Sequence, residues 1–156
     1  MKKAIRSSAA FLLIVSLTIF SCKKKEDDPA PATTPVVVTS SFTWQENSGS
    51  VITADSAFWT TGSWGTGIRA YKGGMANFFE LNWATQNNTS VGAKTMEMAN
   101  YGFTFLKGSD TYNITADENI NITASANNII SGNFNVDVTG GSITNITATF
   151  KALPKK

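Results

Sequence analysis

From residue 41 onward, the chain repeatedly alternates polar and apolar residues. Residues 133–138, with the sequence NFNVDV, show this clearly, and a period of two is typical of a half-buried strand. No segment beyond the N-terminal apolar run sustains the 3.6-residue apolar period of a helix. Residues 92–100 are interpreted as a strand, with a short helix as the alternative. The alternation predicts the following inward-facing side chains: Phe134, Val136 and Val138; Phe79, Leu81 and Trp83; Tyr101, Phe103 and Phe105; Tyr112 and Ile114; Ile120 and Ile122; Ile146, Ala148 and Phe150.

Two glycine pairs separate neighbouring segments of this pattern. Gly73 and Gly74 lie between two alternating segments, and Gly140 and Gly141 lie before the last one. Such pairs indicate tight hairpin turns. Antiparallel hairpins with one apolar face need a second apolar layer. Residues 41–156 are therefore predicted to form an all-β domain, an antiparallel β-sandwich of roughly eight to ten strands, with a partly open β-barrel as the alternative.

The N-terminal segment has a different pattern. Three basic residues precede an apolar run at residues 9–20, which ends at the small Ser21 before Cys22. A membrane-spanning helix needs about 20 apolar residues, whereas a secretory signal has a basic start and a shorter apolar run. Residues 1–21 are therefore predicted to be a signal peptide.

The boundary after residue 21 resembles a lipobox. Ile19-Phe20-Ser21-Cys22 is similar to the cleavage site of bacterial lipoproteins, although that family usually has leucine where this chain has Ile19. The resemblance implies that the Cys22 thiol receives a diacylglycerol and that the chain is cut before it. Two or three acyl chains hold a protein firmly in a membrane, while one chain does not. The predicted partner of Cys22 is therefore a lipid membrane.

Charged residues and then prolines follow the cysteine within residues 22–40. A lysine followed by acidic residues resembles the export signal of Bacteroidota lipoproteins, which implies display on the outer face of the outer membrane. The alternative is a solvated spacer on a periplasm-facing lipoprotein, since mixed charge also favours solvation. The prolines favour an extended, semi-rigid tether. The predicted export signal consists of Lys25, Glu26, Asp27 and Asp28.

Both ends of the domain resemble small Bacteroidota lipoproteins. The similarity covers Phe42-Thr43-Trp44 and Asp55-Ser56-Ala57 near the start, and residues 130–134 and 143–150 near the end. It implies the β fold and a cell-envelope location, but no activity. The segment at Ser56 also resembles an O-glycosylation sequon of Bacteroidota envelope proteins, so Ser56 is a candidate for glycosylation, while Asp-Ser is also common turn chemistry.

Composition excludes several kinds of chemistry. The chain has no histidine and one cysteine, which removes imidazole-dependent catalysis and imidazole zinc sites. Loss of the signal changes the formal charge from +2 to −1, and no basic stripe points to nucleic acid. No pair of carboxylates is marked out for catalysis. Asp110, Asp117 and Glu118 match no calcium-loop spacing, so no enzyme activity, metal or cofactor is predicted.

Residues 57–71 contain a candidate ligand-binding segment. Trp59 and Trp64 flank a turn rich in glycine and hydroxyl groups, and Arg69 and Tyr71 follow. Aromatic rings stack on apolar ligand faces, while nearby polar groups orient the ligand. Core packing of the two tryptophans is nevertheless the favoured interpretation, because aromatics are common in strands.

Two functions are consistent with these features. One is a lipid-anchored, surface-exposed and non-catalytic binding module for a glycan or a protein. The other is a structural envelope lipoprotein with no small-molecule ligand. An exposed aromatic patch favours the first function. Burial of the tryptophans, Trp44, Trp59, Trp64 and Trp83, favours the second.

Overall fold

The computed structural model describes residues 39–63, 65–83 and 88–156, and these form eleven strands and one turn of 3-10 helix. Val36–Lys156 form one compact unit that contains all of these elements. No helical segment in these described ranges is long and apolar enough to span a membrane. The strands are β1 (Ser41–Glu46), β2 (Ile52–Thr53), β3 (Ser56–Gly62), β4 (Gly65–Lys72), β5 (Asn77–Trp83), β6 (Gly92–Met96), β7 (Phe103–Lys107), β8 (Asp110–Ile114), β9 (Glu118–Ala126), β10 (Ile129–Thr139) and β11 (Asn145–Pro154), with the 3-10 turn Met98–Asn100 between β6 and β7.

The strands form one antiparallel sheet that curls into a half-barrel. Its main order is β2-β1-β11-β10-β8-β7-β5-β4-β3, with β9 and β6 branching from β10. The long β10 pairs with β11 on one edge, and with β9 and then β8 along the other. The all-β prediction is confirmed, and the curled sheet matches the partly open barrel. The described residues contain eleven strands rather than eight to ten, because short pieces such as β2 are separate strands.

The chain terminus connects distant parts of the sheet. Lys155 forms an isolated parallel bridge with Trp59 of β3. The backbone N–H of Lys156 donates to the carbonyl oxygen of Trp59 at 2.9 Å. Because β3 and β11 are far apart in the strand order, this bridge links the end of β11 to the edge strand β3.

The core lies on the concave side of the curl and is rich in aromatic rings. Phe79 of β5 stacks on Phe105 of β7 with a centroid distance of 4.2 Å, and Phe42 and Trp44 of β1 pack within 5.2 Å of Phe79. Offset and edge-to-face aromatic pairs stabilise a core beyond the area they bury. Every inward-facing residue predicted from the alternation is buried, with the single exception of Tyr101.

Tyr101 is the residue for which the alternation is misleading. Its side chain is 78 % exposed, and its backbone is left-handed with a φ of 53°. Strand β6 ends at Met96, so it covers only the first part of the strand predicted over residues 92–100. The 3-10 turn follows. Strand β7 begins only at Phe103, so Tyr101 belongs to the turn and its position in the period of two has no meaning.

The two glycine pairs lie in hairpin turns, as predicted. Gly73 and Gly74 connect β4 to β5, and Gly140 and Gly141 connect β10 to β11. Three of these four glycines have positive φ angles, between 64° and 127°. This backbone conformation is accessible to glycine without a steric penalty.

Candidate functional site

A groove of about 700 Å³ lies on the outer face of strands β3, β4 and β5. Its floor contains Arg69 of β4 and Glu80 of β5, which are direct partners in the sheet. Because the adjacent residues Ile68 and Leu81 are buried, the pleat places Arg69 and Glu80 on the opposite, outer face. One wall is the end of β3 and its turn, residues 60–63. The other wall is residues 97–102, which we call the 97–102 loop.

Two glycines that line the groove have no room for a side chain. A Cβ on Gly67 would lie 2.5 Å from the carbonyl oxygen of Leu81, and one on Gly102 would lie 2.5 Å from the backbone nitrogen of Glu97. Neighbouring backbone atoms therefore exclude any side chain at either position. Gly67 therefore leaves only backbone at its point of the floor, and Gly102 lets the 97–102 loop pack closely against the backbone of residues 96–97.

The charged groups of the groove include an ion pair on its floor. Arg69 Nη2 donates to Glu80 Oε1 at 2.7 Å, with side-chain exposures of 45 % and 32 %. An exposed ion pair contributes little to stability, but it holds both planar groups in a defined orientation. Glu97 also lines the groove and accepts a hydrogen bond from Asn100 Nδ2. The charged groups among the described lining residues are therefore two carboxylates and one guanidinium.

Hydrogen bonds hold the 97–102 loop in place. The backbone N–H of Met98 donates to Asp117 Oδ1 at 2.9 Å. The backbone N–H of Gly102 donates to the Glu97 carbonyl at 2.9 Å, and the Gly102 carbonyl accepts from the N–H of Asn82 at 2.8 Å. These bonds connect the loop to itself, to β5 and to the start of β9, so the wall is a fixed part of the sheet.

Trp59, a predicted ligand contact, is a core residue. Its side chain is 5 % exposed, and its indole N–H donates to the Asn128 carbonyl at 3.0 Å. The ammonium group of Lys155 lies 5.1 Å from the ring centroid. With its ring inside the core, Trp59 offers no face on which a ligand can stack. Trp64 lies outside the described residues, although Ser63 and Gly65 on either side of it line the groove.

Arg69 and Tyr71 occupy different positions on the same face. Arg69 lines the groove. Tyr71 lies between Phe58, at a ring centroid distance of 6.2 Å, and Phe78, at 4.9 Å. Tyr71 is not among the lining residues, so it belongs to a separate aromatic row on the outer face. The structure therefore brings only Arg69, of the predicted ligand contacts that it describes, into the groove.

The sequence interpretation did not assign the other groove residues to a binding site. Glu80 and Asn82 alternate with the buried Phe79, Leu81 and Trp83 and therefore lie on the opposite face of β5. The local sequence does not show which residues lie beside them. Tyr101 was assigned to the core. Its neighbour Gly102 was the available signal, because glycine before an alternating segment often marks a turn.

The remaining predicted sites lie apart from the groove or outside the described residues. Ser56 is exposed at the start of β3, and the neighbouring Asp55 Oδ2 accepts a hydrogen bond from the N–H of Gly73 at 2.7 Å. In the described ranges, no three carboxylate, cysteine or histidine residues cluster as metal ligands. The predicted lipidation and export residues lie before residue 39 and are not described: Cys22, Lys25, Glu26, Asp27 and Asp28.

Comparison with protein-family models, with curated proteins and with solved structures gives no match to this chain.

Proposed function

We propose that this protein is a lipid-anchored, non-catalytic binding module of the cell envelope, and that it holds its ligand in the groove. The single observation that carries this proposal is the groove itself, a cavity of about 700 Å³ whose floor has only backbone at Gly67. Its size lies within the range of about 300–1,000 Å³ that is usual for ligand sites. Convergent polar groups on fixed elements supply the orientation that such sites require.

The N-terminal sequence supports the anchoring part of the proposal. The apolar run ends at the only cysteine of the chain, and a charged segment and a proline-rich segment follow it. In this arrangement Cys22 carries the lipid, and residues 23–40 separate the domain from the membrane. The favoured location is the outer face of the outer membrane. A periplasm-facing location is the alternative.

One observation favours the structural alternative, in which the envelope lipoprotein has no small ligand. Trp44, Trp59 and Trp83 are each at most 5 % exposed. These three tryptophans therefore stabilise the core and form no aromatic binding patch. The binding proposal depends instead on the outer-face groove, which contains none of them.

Filling the groove tests the binding proposal. Gly62 lines it, and a Cβ at this position would meet no atom within 4 Å. Gly62→Tyr should therefore place a ring in the groove while the fold is retained, since tyrosine suits strands. The full-length wild type is first screened on an array of oligosaccharides and peptides. We expect Gly62→Tyr to bind the same array members at least about tenfold more weakly, a loss of about 1.4 kcal/mol in binding free energy.

The matched control is Thr123→Tyr, which adds the same ring to the exposed face of β9, outside the groove. Both variants should have the wild-type melting temperature. Binding that is lost in Gly62→Tyr and kept in Thr123→Tyr supports the groove as the site. Equal binding by both variants, or no binding of any array member by the wild type, contradicts the proposal and favours the structural alternative.

The anchor has a direct test in bacteria that process lipoproteins. Cys22→Ala should abolish incorporation of a fatty-acid probe, because no other thiol exists in the chain to accept the lipid. Ser21→Ala is the control, since alanine keeps a small residue at the cleavage site. Labelling of Cys22→Ala at the wild-type level would refute the lipobox interpretation.

A further inference from the structure

We propose that the groove takes a neutral glycan, with one sugar ring stacked on Tyr101. This inference rests on the proposed function, because it names the ligand class of the same groove. Four features of the groove carry it: the exposure of Tyr101, its backbone conformation, the polar character of the walls and the balance of charge.

Tyr101 presents a large aromatic ring at the edge of the groove. Its side chain is 78 % exposed, whereas tyrosine is usually intermediate in burial. Its φ of 53° lies in the left-handed region, where a bulky residue is a real outlier. Such conformations persist where the surrounding structure holds them, and they cluster at functional sites. The chain therefore keeps a ring exposed at a position where glycine or asparagine would be more stable.

The loop that carries Tyr101 is held from both sides. The Tyr101 N–H donates to the Met98 carbonyl at 3.3 Å, and the next residue, Gly102, is bonded to Glu97 and to β5. Little conformational freedom of the loop backbone remains to be lost when a ligand binds. A fixed aromatic face reduces the entropic penalty of binding, which is the advantage of preorganisation.

The walls and floor match a ligand with many hydroxyl groups. Each amide carries donors and an acceptor, and each hydroxyl serves as both, so these groups complement the hydroxyls of a sugar. Arg69 and Glu80 form a planar pair that presents both donors and an acceptor from fixed positions. The amide and hydroxyl side chains among the lining residues are Thr60, Thr61, Ser63, Asn82, Asn100 and Thr104.

The same lining is poorly suited to a protein partner. The central part of a protein interface is usually apolar and buries aliphatic and aromatic anchors. Among the described lining residues, Ala99 is the only aliphatic side chain and Tyr101 the only aromatic one. A groove without an apolar centre cannot bury such anchors, so a saccharide fits it better than a peptide.

The charges select against acidic sugars. The described lining contains Glu80 and Glu97 as anions and Arg69 as the only cation. Glu80 already neutralises Arg69 through the 2.7 Å contact. A uronic acid or a sulfated sugar would bring a further negative charge beside Glu97, which is unfavourable at short range. We therefore expect neutral oligosaccharides to bind and their acidic counterparts to bind weakly.

The test compares two substitutions at Tyr101 in the full-length protein. Tyr101→Gly removes the ring and accepts the positive φ without strain, so the melting temperature should be unchanged or higher while affinity falls at least about tenfold. Tyr101→Phe keeps the ring and should bind within about threefold of the wild type. Met98→Ala is the control, because Met98 is exposed in the same turn but does not line the groove.

The probes are neutral polysaccharides (mannan, laminarin and galactan), the acidic polymers polygalacturonate and chondroitin sulfate, and a peptide library. Binding of a neutral polymer that is lost in Tyr101→Gly and in Gly62→Tyr supports the inference. Equal binding of the acidic polymers, or full binding by Tyr101→Gly, overturns it. Binding of peptides alone that is lost in Gly62→Tyr overturns the glycan inference but supports the proposed function. If no probe loses binding in Gly62→Tyr, both the glycan inference and the proposed function are overturned.

Discussion

Phe134→Ala should lower the free energy of unfolding by about 3–5 kcal/mol. The Phe134 ring is 3 % exposed and packs against Phe42 and Phe103, with centroid distances of 6.2 and 5.8 Å. These two neighbours come from β1 and β7, so the ring joins parts of the curled sheet that are distant in strand order. Its removal leaves a cavity at this junction, because the surrounding strands are hydrogen-bonded and relax only partially. Chemical denaturation measures the effect.

Asn133→Ala is the matched control for this measurement. Asn133 is the preceding residue of β10 and faces solvent on the outer side of the sheet. Its substitution should change the free energy of unfolding by no more than about 0.5 kcal/mol. If Asn133→Ala destabilises the domain more than Phe134→Ala, the register of β10 is shifted by one residue and the assignment of its two faces is wrong.

Gly140→Ala should be the other strongly destabilising substitution, at about 3 kcal/mol or more. Gly140 has a φ of 127°, and a Cβ there would lie 1.9 Å from the carbonyl oxygen of Thr111. Thr111 belongs to β8, which pairs with the end of β10 beside this turn. A side chain at this position therefore strains the turn and pushes β8 away from β10.

Gly92→Ala separates these two effects. Gly92 has a similar φ, 120°, but a Cβ there meets no atom within 4 Å. Its substitution should cost about 1 kcal/mol from backbone strain alone. The difference between the two variants in a denaturation experiment is then the steric contribution. Equal destabilisation by both would show that the contact with Thr111 has no energetic consequence.

The groove is compatible with these features of the core because it occupies the other face of the sheet. Ile68 and Leu81 pack inward while Arg69 and Glu80, their immediate neighbours in the chain, face the groove. Substitutions in the groove should therefore change binding with little effect on stability. This separation allows the Gly62 and Tyr101 variants to test function without unfolding the domain.

Local patterns predicted the inward faces of the strands correctly where a strand exists. The alternation in β10 placed Phe134, Val136 and Val138 in the core, because side chains of a strand point to alternate faces whatever its neighbours are. The same argument failed at Tyr101, which lies in a turn before β7 begins. A period of two carries information only within a strand, and the position of the strand boundary depended on hydrogen bonds between Gly102, Glu97 and Asn82.

The candidate site was only partly predictable for a related reason. Of the candidate ligand contacts, Arg69 lines the groove. Trp59, for which core packing is the favoured interpretation, lies in the core, where its indole N–H donates to the carbonyl of Asn128, 69 positions further along the chain. The sequence shows that an aromatic residue occurs in a strand. It does not show which face of that strand the rest of the domain covers. In the tertiary structure the Trp59 ring meets groups far along the chain, the Asn128 carbonyl and the Lys155 ammonium.

By itself, the sequence determined the all-β class, the alternating faces of the strands and the glycine turns, because each of these follows from interactions between residues close in the chain. It also carries the predictions for the anchor at Cys22. Only the tertiary structure decided that the sheet curls into a half-barrel and that a groove forms between residues 60–63 and the 97–102 loop. These features depend on strand pairing over long sequence separations, which no local pattern encodes.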